Sequence, residues 1–156
     1  MALALADLLN EKHVDLDLRT RTPATALRKL VRLLQTDERI NESEKFLEQV
    51  LDRERVNPSV VEHGVAFPHA RTDLVDKIVL GIGRSRAGIR FAPESERARL
   101  IFLIGVPQRL VSDYLVCVGA LARILKDDEV RQRLLYVETA KEFVEILRTP
   151  AENPFG

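Results

Sequence analysis

Two near-continuous apolar runs, Ile78 to Arg84 and Leu100 to Val106, lead the hydrophobic pattern of this chain and predict strands covered on both faces. Ala87-Gly88-Ile89-Arg90-Phe91, between them, reads as a turn leading into a brief strand. Near the start, Ala2 to Leu9 reads as a short apolar turn or helix, and His13-Val14-Asp15-Leu16-Asp17-Leu18 alternates as a half-buried strand does. Thr22-Pro23 supplies an N-cap with proline at the first helical position, and Ala26, Leu27, Leu30, Val31, Leu33 and Leu34 carry that helix to about Gln35. Asn41 with Glu44 reads as a capping box opening a second helix, whose apolar face is Phe46, Leu47, Val50 and Leu51 and whose end lies near Arg53 to Arg55. Asn57-Pro58-Ser59 breaks it, and Val60 to Thr72 reads as a loop with short extended pieces.

Leu110 to Leu125 predicts a strongly apolar helix packed on the sheet. Asp127-Asp128-Glu129 opens a shorter one through Tyr136, and Thr139 with Glu142 forms another capping box for a last helix to about Arg148. The expected fold is α/β, a single mixed β-sheet flanked by helices on both faces, in one domain over residues 1–150 with a tail at 151–156.

At 156 residues the chain is long enough to bury about two thirds of its unfolded surface. Lys plus Arg and Asp plus Glu number 24 each, and that zero balance argues against nucleic acid as the main partner. The single Cys117 excludes an intramolecular disulfide, fits a reducing cytosol, and sits in an apolar helical run as a small buried side chain. No apolar run approaches the ~20 residues of a membrane span, and the N-terminus lacks the positive region of a signal peptide. A cytoplasmic protein without direct membrane insertion is expected. The chain begins at its own methionine and shows no membrane segment, so action in trans is expected too.

The chemistry concentrates in Gly64-Val65-Ala66-Phe67-Pro68-His69-Ala70-Arg71. Proline fixes its own φ and removes a donor, so the backbone entering His69 is stiff. An imidazole on a stiff loop beside a permanent cation can accept and hold a phosphoryl group, because the cation offsets the arriving charge. Arg71 is either that phosphate-binding cation or a solvated side chain. Asp73 and Asp76 either orient the imidazole or are ordinary loop acids. His13 is expected on the surface. Arg84, Arg86, Arg90, Arg97 and Arg99 form a basic stretch, either a solvated face or a dock for an acidic partner. The three histidines and one cysteine do not have metal-ligand spacing, and no Walker loop or dinucleotide fingerprint is present, so no metal or organic cofactor is expected.

In that order of elements the chain resembles the type 2 enzyme IIA domains (fructose, mannitol and nitrogen class) of the bacterial phosphoenolpyruvate-dependent phosphotransferase system. Leu51-Asp52-Arg53-Glu54 is similar to that family's helix ending in an Arg-Glu pair. Gly64 to His69 matches its phosphorylation motif, and Gly88-Ile89-Arg90-Phe91 its short segment after the first long strand. Leu100 to Gly105 and the helices after it follow its C-terminal half. The resemblance covers nearly the whole chain. It implies that His69 accepts a phosphoryl group from a phosphohistidine carrier protein and passes it to a IIB component or a regulatory target. It also implies that Arg53 is the guanidinium near the phosphohistidine and that Ser59 stands where the family often has Ser or Thr.

Two departures qualify that implication. The resemblance places Tyr114 where the family commonly has a second histidine, and a phenol can donate a hydrogen bond to a phosphoryl oxygen but is not cationic at neutral pH. Val60-Val61-Glu62-His63 replaces a usually glycine-rich stretch, and an inward Glu62 would repel a phosphoryl group. His63 either stands in for the second histidine or is an exposed loop residue. Two functions therefore compete: a phosphoryl carrier of a sugar phosphotransferase system, and a regulatory binding module of the same fold acting on a transporter, kinase or transcription factor. A degenerate domain that has lost transfer is the third.

Overall fold

In a computed structural model, which describes residues 5–37 and 39–148, the chain runs through β1 (Val14–Asp15), α1 (Pro23–Leu34), α2 (Ser43–Val56), β2 (Val65–Ala66), β3 (His69–Arg71), β4 (Val79–Arg90), β5 (Arg97–Val106), α3 (Val111–Leu125), α4 (Asp128–Tyr136) and α5 (Ala140–Arg148). Single 3₁₀ turns occupy Leu5–Leu8, Glu11–His13 and Gln108–Leu110. The first residues of the expected opening helix, and the expected tail, lie outside the described residues.

β4 and β5 pair antiparallel at the centre of the sheet. β1 joins β4 in parallel, and both β2 and β3 join the free edge of β5 in parallel, giving the order β1-β4-β5-β2 with β3 also on β5. The two apolar runs are buried on both faces. Leu80, Ile82, Leu100, Phe102 and Ile104 pack with the apolar sides of α3, α4 and α5. Val79, Ile89, Ala98, Ile101 and Leu103 pack with Leu27, Leu30, Leu34, Phe46 and Val50 of α1 and α2. This is the expected mixed α/β sheet with helices on both faces. Among the described residues, no helix is long and apolar enough to cross a membrane.

Two caps stand as expected: Thr22 Oγ1 accepts from Thr25 N at 3.2 Å, and Thr139 Oγ1 accepts from Glu142 N at 3.1 Å. Others differ. Asn41 does not cap α2: its backbone N–H donates to Leu74 O at 2.8 Å, tying the helix entry to a distant loop, and Glu42 takes the cap position without a side-chain bond. The segment from Ala87 to Arg90 is not a separate turn and strand but the end of β4, continued past a register shift between Arg84 and Ile89. Gly88 makes that shift possible: it adopts φ +81, and a Cβ there would lie 2.7 Å from Arg97 Cβ.

The first strand is shorter than the alternation suggests, because the chain enters the sheet from the 3₁₀ turn at Glu11–His13. His13 is therefore buried rather than on the surface, and burial pushes its imidazole pKa down. Arg84 is also buried, not part of a solvated basic face. Its guanidinium donates to the carbonyls of Leu16, Leu134 and Val137 and so ties the segment after β1 to α4. Cys117 is buried as expected.

Gly105 sits where α2 crosses β5: a Cβ would lie 2.7 Å from Phe46 Cζ and 2.9 Å from both Phe46 Cε1 and Val79 Cγ2. The aromatic ring cannot yield without moving the helix. Gly105→Ala should therefore destabilise the fold by about 1–3 kcal/mol through overpacking, read as a lower denaturation midpoint in urea at unchanged slope.

Candidate functional site

The loop from Val60 to Pro68 is held to β5 by backbone bonds along its length. Gly64 O accepts from Arg99 N at 2.7 Å and Leu100 N at 3.1 Å, and Pro68 O accepts from Ile104 N at 2.9 Å. His63 and Gly64 turn through positive φ, 56 and 75, to bring the chain onto that edge. β3 then places His69 opposite Ile104. Ala70 faces the α1–α2 core, which turns the half-buried imidazole of His69 to the other face, towards α3.

There His69 meets Tyr114, with ring centroids 5.4 Å apart and planes tilted by 36°. His69 Nδ1 lies 3.4 Å from Phe67 O. A carbonyl only accepts, so Nδ1 carries the proton and Nε2 keeps its lone pair when the ring is neutral. Burial lowers the His69 pKa, the Phe67 carbonyl opposes this, and the charges of Arg53 and Arg71 lower it further while Glu54 raises it. The same two guanidinium groups act on Tyr114, whose hydroxyl burial nevertheless pushes up, so it stays protonated at neutral pH. α2, β3 and α3 thus bring Arg53, His69, Arg71 and Tyr114 together. Arg53 and Arg71 are exposed and make no side-chain hydrogen bond or ion pair among the described residues, so their donors are unspent.

Ser59 is placed differently from a free phosphate ligand. Glu54 is buried, and its carboxylate accepts from Ser59 N at 2.5 Å and from Ser59 Oγ at 2.8 Å. The one hydroxyl proton is engaged, so Ser59 anchors the loop to the end of α2. Glu54 appears in the sequence only as half of the Arg-Glu pair that ends the helix, with no role of its own assigned to it. A carboxylate in the last turn of a helix, where the dipole favours cations, was the signal available.

His63 is exposed and is absent from the charges acting on His69. It lines a groove of about 420 Å³ with Val60, Glu62, Phe67, Val118 and Ala122, between the loop and α3. Glu62 is exposed on the same groove and is absent from the charges acting on His69. Asp73 and Asp76 tie loops together: Asp73 Oδ1 accepts from Gln108 N at 3.2 Å, and Asp76 Oδ1 from Asn41 Nδ2 at 3.4 Å. Among the described residues, no group of His, Cys, Asp and Glu could hold a metal ion.

The sequence profile of the family described as "Phosphoenolpyruvate-dependent sugar phosphotransferase system, EIIA 2" matches residues 7–149. The chain belongs to this EIIA family. It is similar to the fructose-specific EIIA component of Haloferax volcanii, with 34% identity over 115 residues, 73% of this chain and 75% of that protein. It is also similar to the fructose-specific EIIABC component of Bacillus subtilis, with 23% identity over 93% of this chain, and spans only 23% of that protein's length. Among solved structures, the nitrogen regulatory protein IIA-Ntr of Neisseria meningitidis superposes with a TM-score of 0.83 at 26% identity, covering 92% of this chain and 98% of that one. The EIIA fold and the resemblance expected from the motif order agree with these likenesses.

Burial of His69 makes stability depend on pH. Its folded pKa lies below the ordinary 6.5, so above that pH the ring is neutral in both folded and unfolded chains. As pH falls through 6.5 the unfolded chain takes the proton first, and stability declines until folded His69 protonates. His13 acts in the same direction. An NMR titration should place the His69 midpoint below 6.5, and Arg53→Gln should raise it by removing a repelling charge. A midpoint unmoved in that variant would mean that Arg53 does not face the ring.

Proposed function

We propose that this chain is a cytoplasmic phosphoryl carrier of the phosphotransferase system, with His69 as acceptor, a phosphohistidine carrier protein as donor, and a IIB component or regulatory target as onward partner. One observation carries this reading: Nδ1 of His69 lies 3.4 Å from the Phe67 carbonyl, an acceptor that favours the proton on Nδ1 and leaves the Nε2 lone pair for attack, and the charges of Arg53 and Arg71 act on the ring. The Nε2 lone pair attacks the phosphorus of the donor's phosphohistidine. A new N–P bond forms as the donor's N–P bond breaks, and that bond's electron pair stays on the donor imidazole. Arg53 and Arg71 offset the charge on the phosphoryl oxygens, and the Tyr114 hydroxyl donates one hydrogen bond to them. Burial of the imidazole keeps it unprotonated at neutral pH and available for attack.

The regulatory reading has an observation of its own. Leu115 and Val116, the residues after Tyr114 on α3, are 62% and 60% exposed, and Val60 after Ser59 is 76% exposed. Apolar side chains so open beside the site suit docking of a protein surface. They serve a donor and a regulatory target alike, and phosphorylation of His69 would change the charge presented to either.

The test is incubation with phosphoenolpyruvate and the two general phosphotransferase proteins, followed by intact mass measurement. One acid-labile phosphoryl group is expected, absent in His69→Ala. Tyr114→Phe should still accept it, about tenfold to a hundredfold more slowly, the effect of one hydrogen bond to a charged group. No gain under conditions that modify another EIIA protein would overturn the carrier reading and leave the binding module.

A further inference from the structure

A cleft of about 670 Å³ opens at the far end of β4, between the segment that follows β1 and the register shift of the strand. That volume falls in the range of small-molecule sites. It is remote from His69. Arg84 on its wall pairs with Leu100, whereas His69 is level with Ile104 and Leu80, four residues or roughly 13 Å along the strand. β1 and β3 also lie on opposite sides of the β4–β5 pair.

The cleft is cationic by construction. Arg19, Arg21, Arg84 and Arg86 line it against two carboxylates, Asp17 and Glu138. Arg84 is 4% exposed, and its three hydrogen bonds, at 3.1, 3.0 and 2.7 Å, all go to neutral carbonyls, so no bonded carboxylate cancels its charge. Asp17 is engaged by Arg19 at 2.9 Å. Arg21 and Arg86 make no side-chain hydrogen bond or ion pair among the described residues. A low-dielectric wall around a buried cation focuses positive potential into the concavity.

We propose that this cleft is a second site, one that binds a small phosphorylated ligand. The guanidinium groups of Arg21 and Arg86 take phosphate oxygens, each able to do so in bidentate fashion. The remaining volume holds the organic part of a phosphate ester. The zero net charge of the chain and the concave shape favour a small ligand over a nucleic acid.

The experiment is calorimetric titration of the full chain with glucose 6-phosphate, with inorganic phosphate and with a short single-stranded RNA, at roughly 0.15 M salt so that loose surface attraction is screened. Saturable binding of glucose 6-phosphate or of phosphate is expected, the first tighter if the ester's organic part is held. Arg21→Ala and Arg86→Ala should each weaken it about tenfold or more, and Arg86→Lys should restore only part, since an ammonium lacks the planar fork. His69→Ala and Arg53→Ala should leave it unchanged, which separates this site from the proposed phosphoryl acceptor. Absence of saturable binding by both phosphate probes, binding lost in Arg53→Ala but kept in Arg86→Ala, or binding of the RNA alone would overturn the proposal.

Discussion

The antiparallel pairing of β4 with β5 is the constraint from which every other element takes its place. Both strands are apolar on both faces, so neither face can be left to water, and the two layers of helices follow as covers. β5 has one remaining edge, and β2 and β3 occupy it in turn. Side chains alternate along a strand, so that register decides the chemistry. A slip of one residue would turn the imidazole of His69 into the α1–α2 core and bring Ala70 out towards Tyr114. The backbone bonds from Gly64 and Pro68 to β5 fix the register on either side of the site.

Within that frame the environment of His69 balances opposed effects. Burial and two nearby cations hold the ring neutral, which a nucleophile requires, and the same cations attract the group it would receive. Glu54 works against them, since its charge favours the protonated ring. A buried carboxylate is tolerable because Ser59 supplies two hydrogen bonds to it. Those bonds also fasten the loop to α2, the helix that carries Arg53. Electrostatic cost at one residue is thereby exchanged for position at another, with Ser59 as the partner of Glu54.

Much of this was legible in the chain. The apolar runs became β4 and β5, the Thr22 and Thr139 caps stand where their spacing placed them, and the residues that the motif and the resemblance singled out, Arg53, His69, Arg71 and Tyr114, meet in space. What escaped depends on contacts distant in sequence. Arg84 sits in a run of apolar residues, and only carbonyls of Leu16, Leu134 and Val137, far along the chain, make its burial possible. Asn41 has the right side chain for a cap, yet a loop more than thirty residues away competes for its backbone, and tertiary bonding wins. His13 reads as the polar half of an alternating strand because the local pattern carries no sign of the 3₁₀ turn that rotates it inward. His63 could not be assigned from spacing, since it takes a positive φ in the turn and lines the groove beside α3.

Net charge is the sequence quantity that conceals most here. Equal numbers of acids and bases suggest an electrically featureless surface. Part of that charge cancels locally, as in Asp37 with Arg39, Asp52 with Arg55 and Asp128 with Arg131, each pair within three residues. Such pairs add little stability where they are exposed, but they cancel charge locally. Two pairs of cations without a bonded carboxylate among the described residues stand grouped. Arg53 and Arg71 stand at one end of the sheet, with Tyr114, and Arg21 and Arg86 at the other, on the wall of the second cleft. Field strength at a site depends on which charges remain unpaired and how well the wall excludes water, not on the sum over the chain. A formally neutral protein can therefore present two separate cationic sites, and the β4–β5 pair that separates them keeps their fields apart over more than a Debye length at physiological salt, about 8 Å.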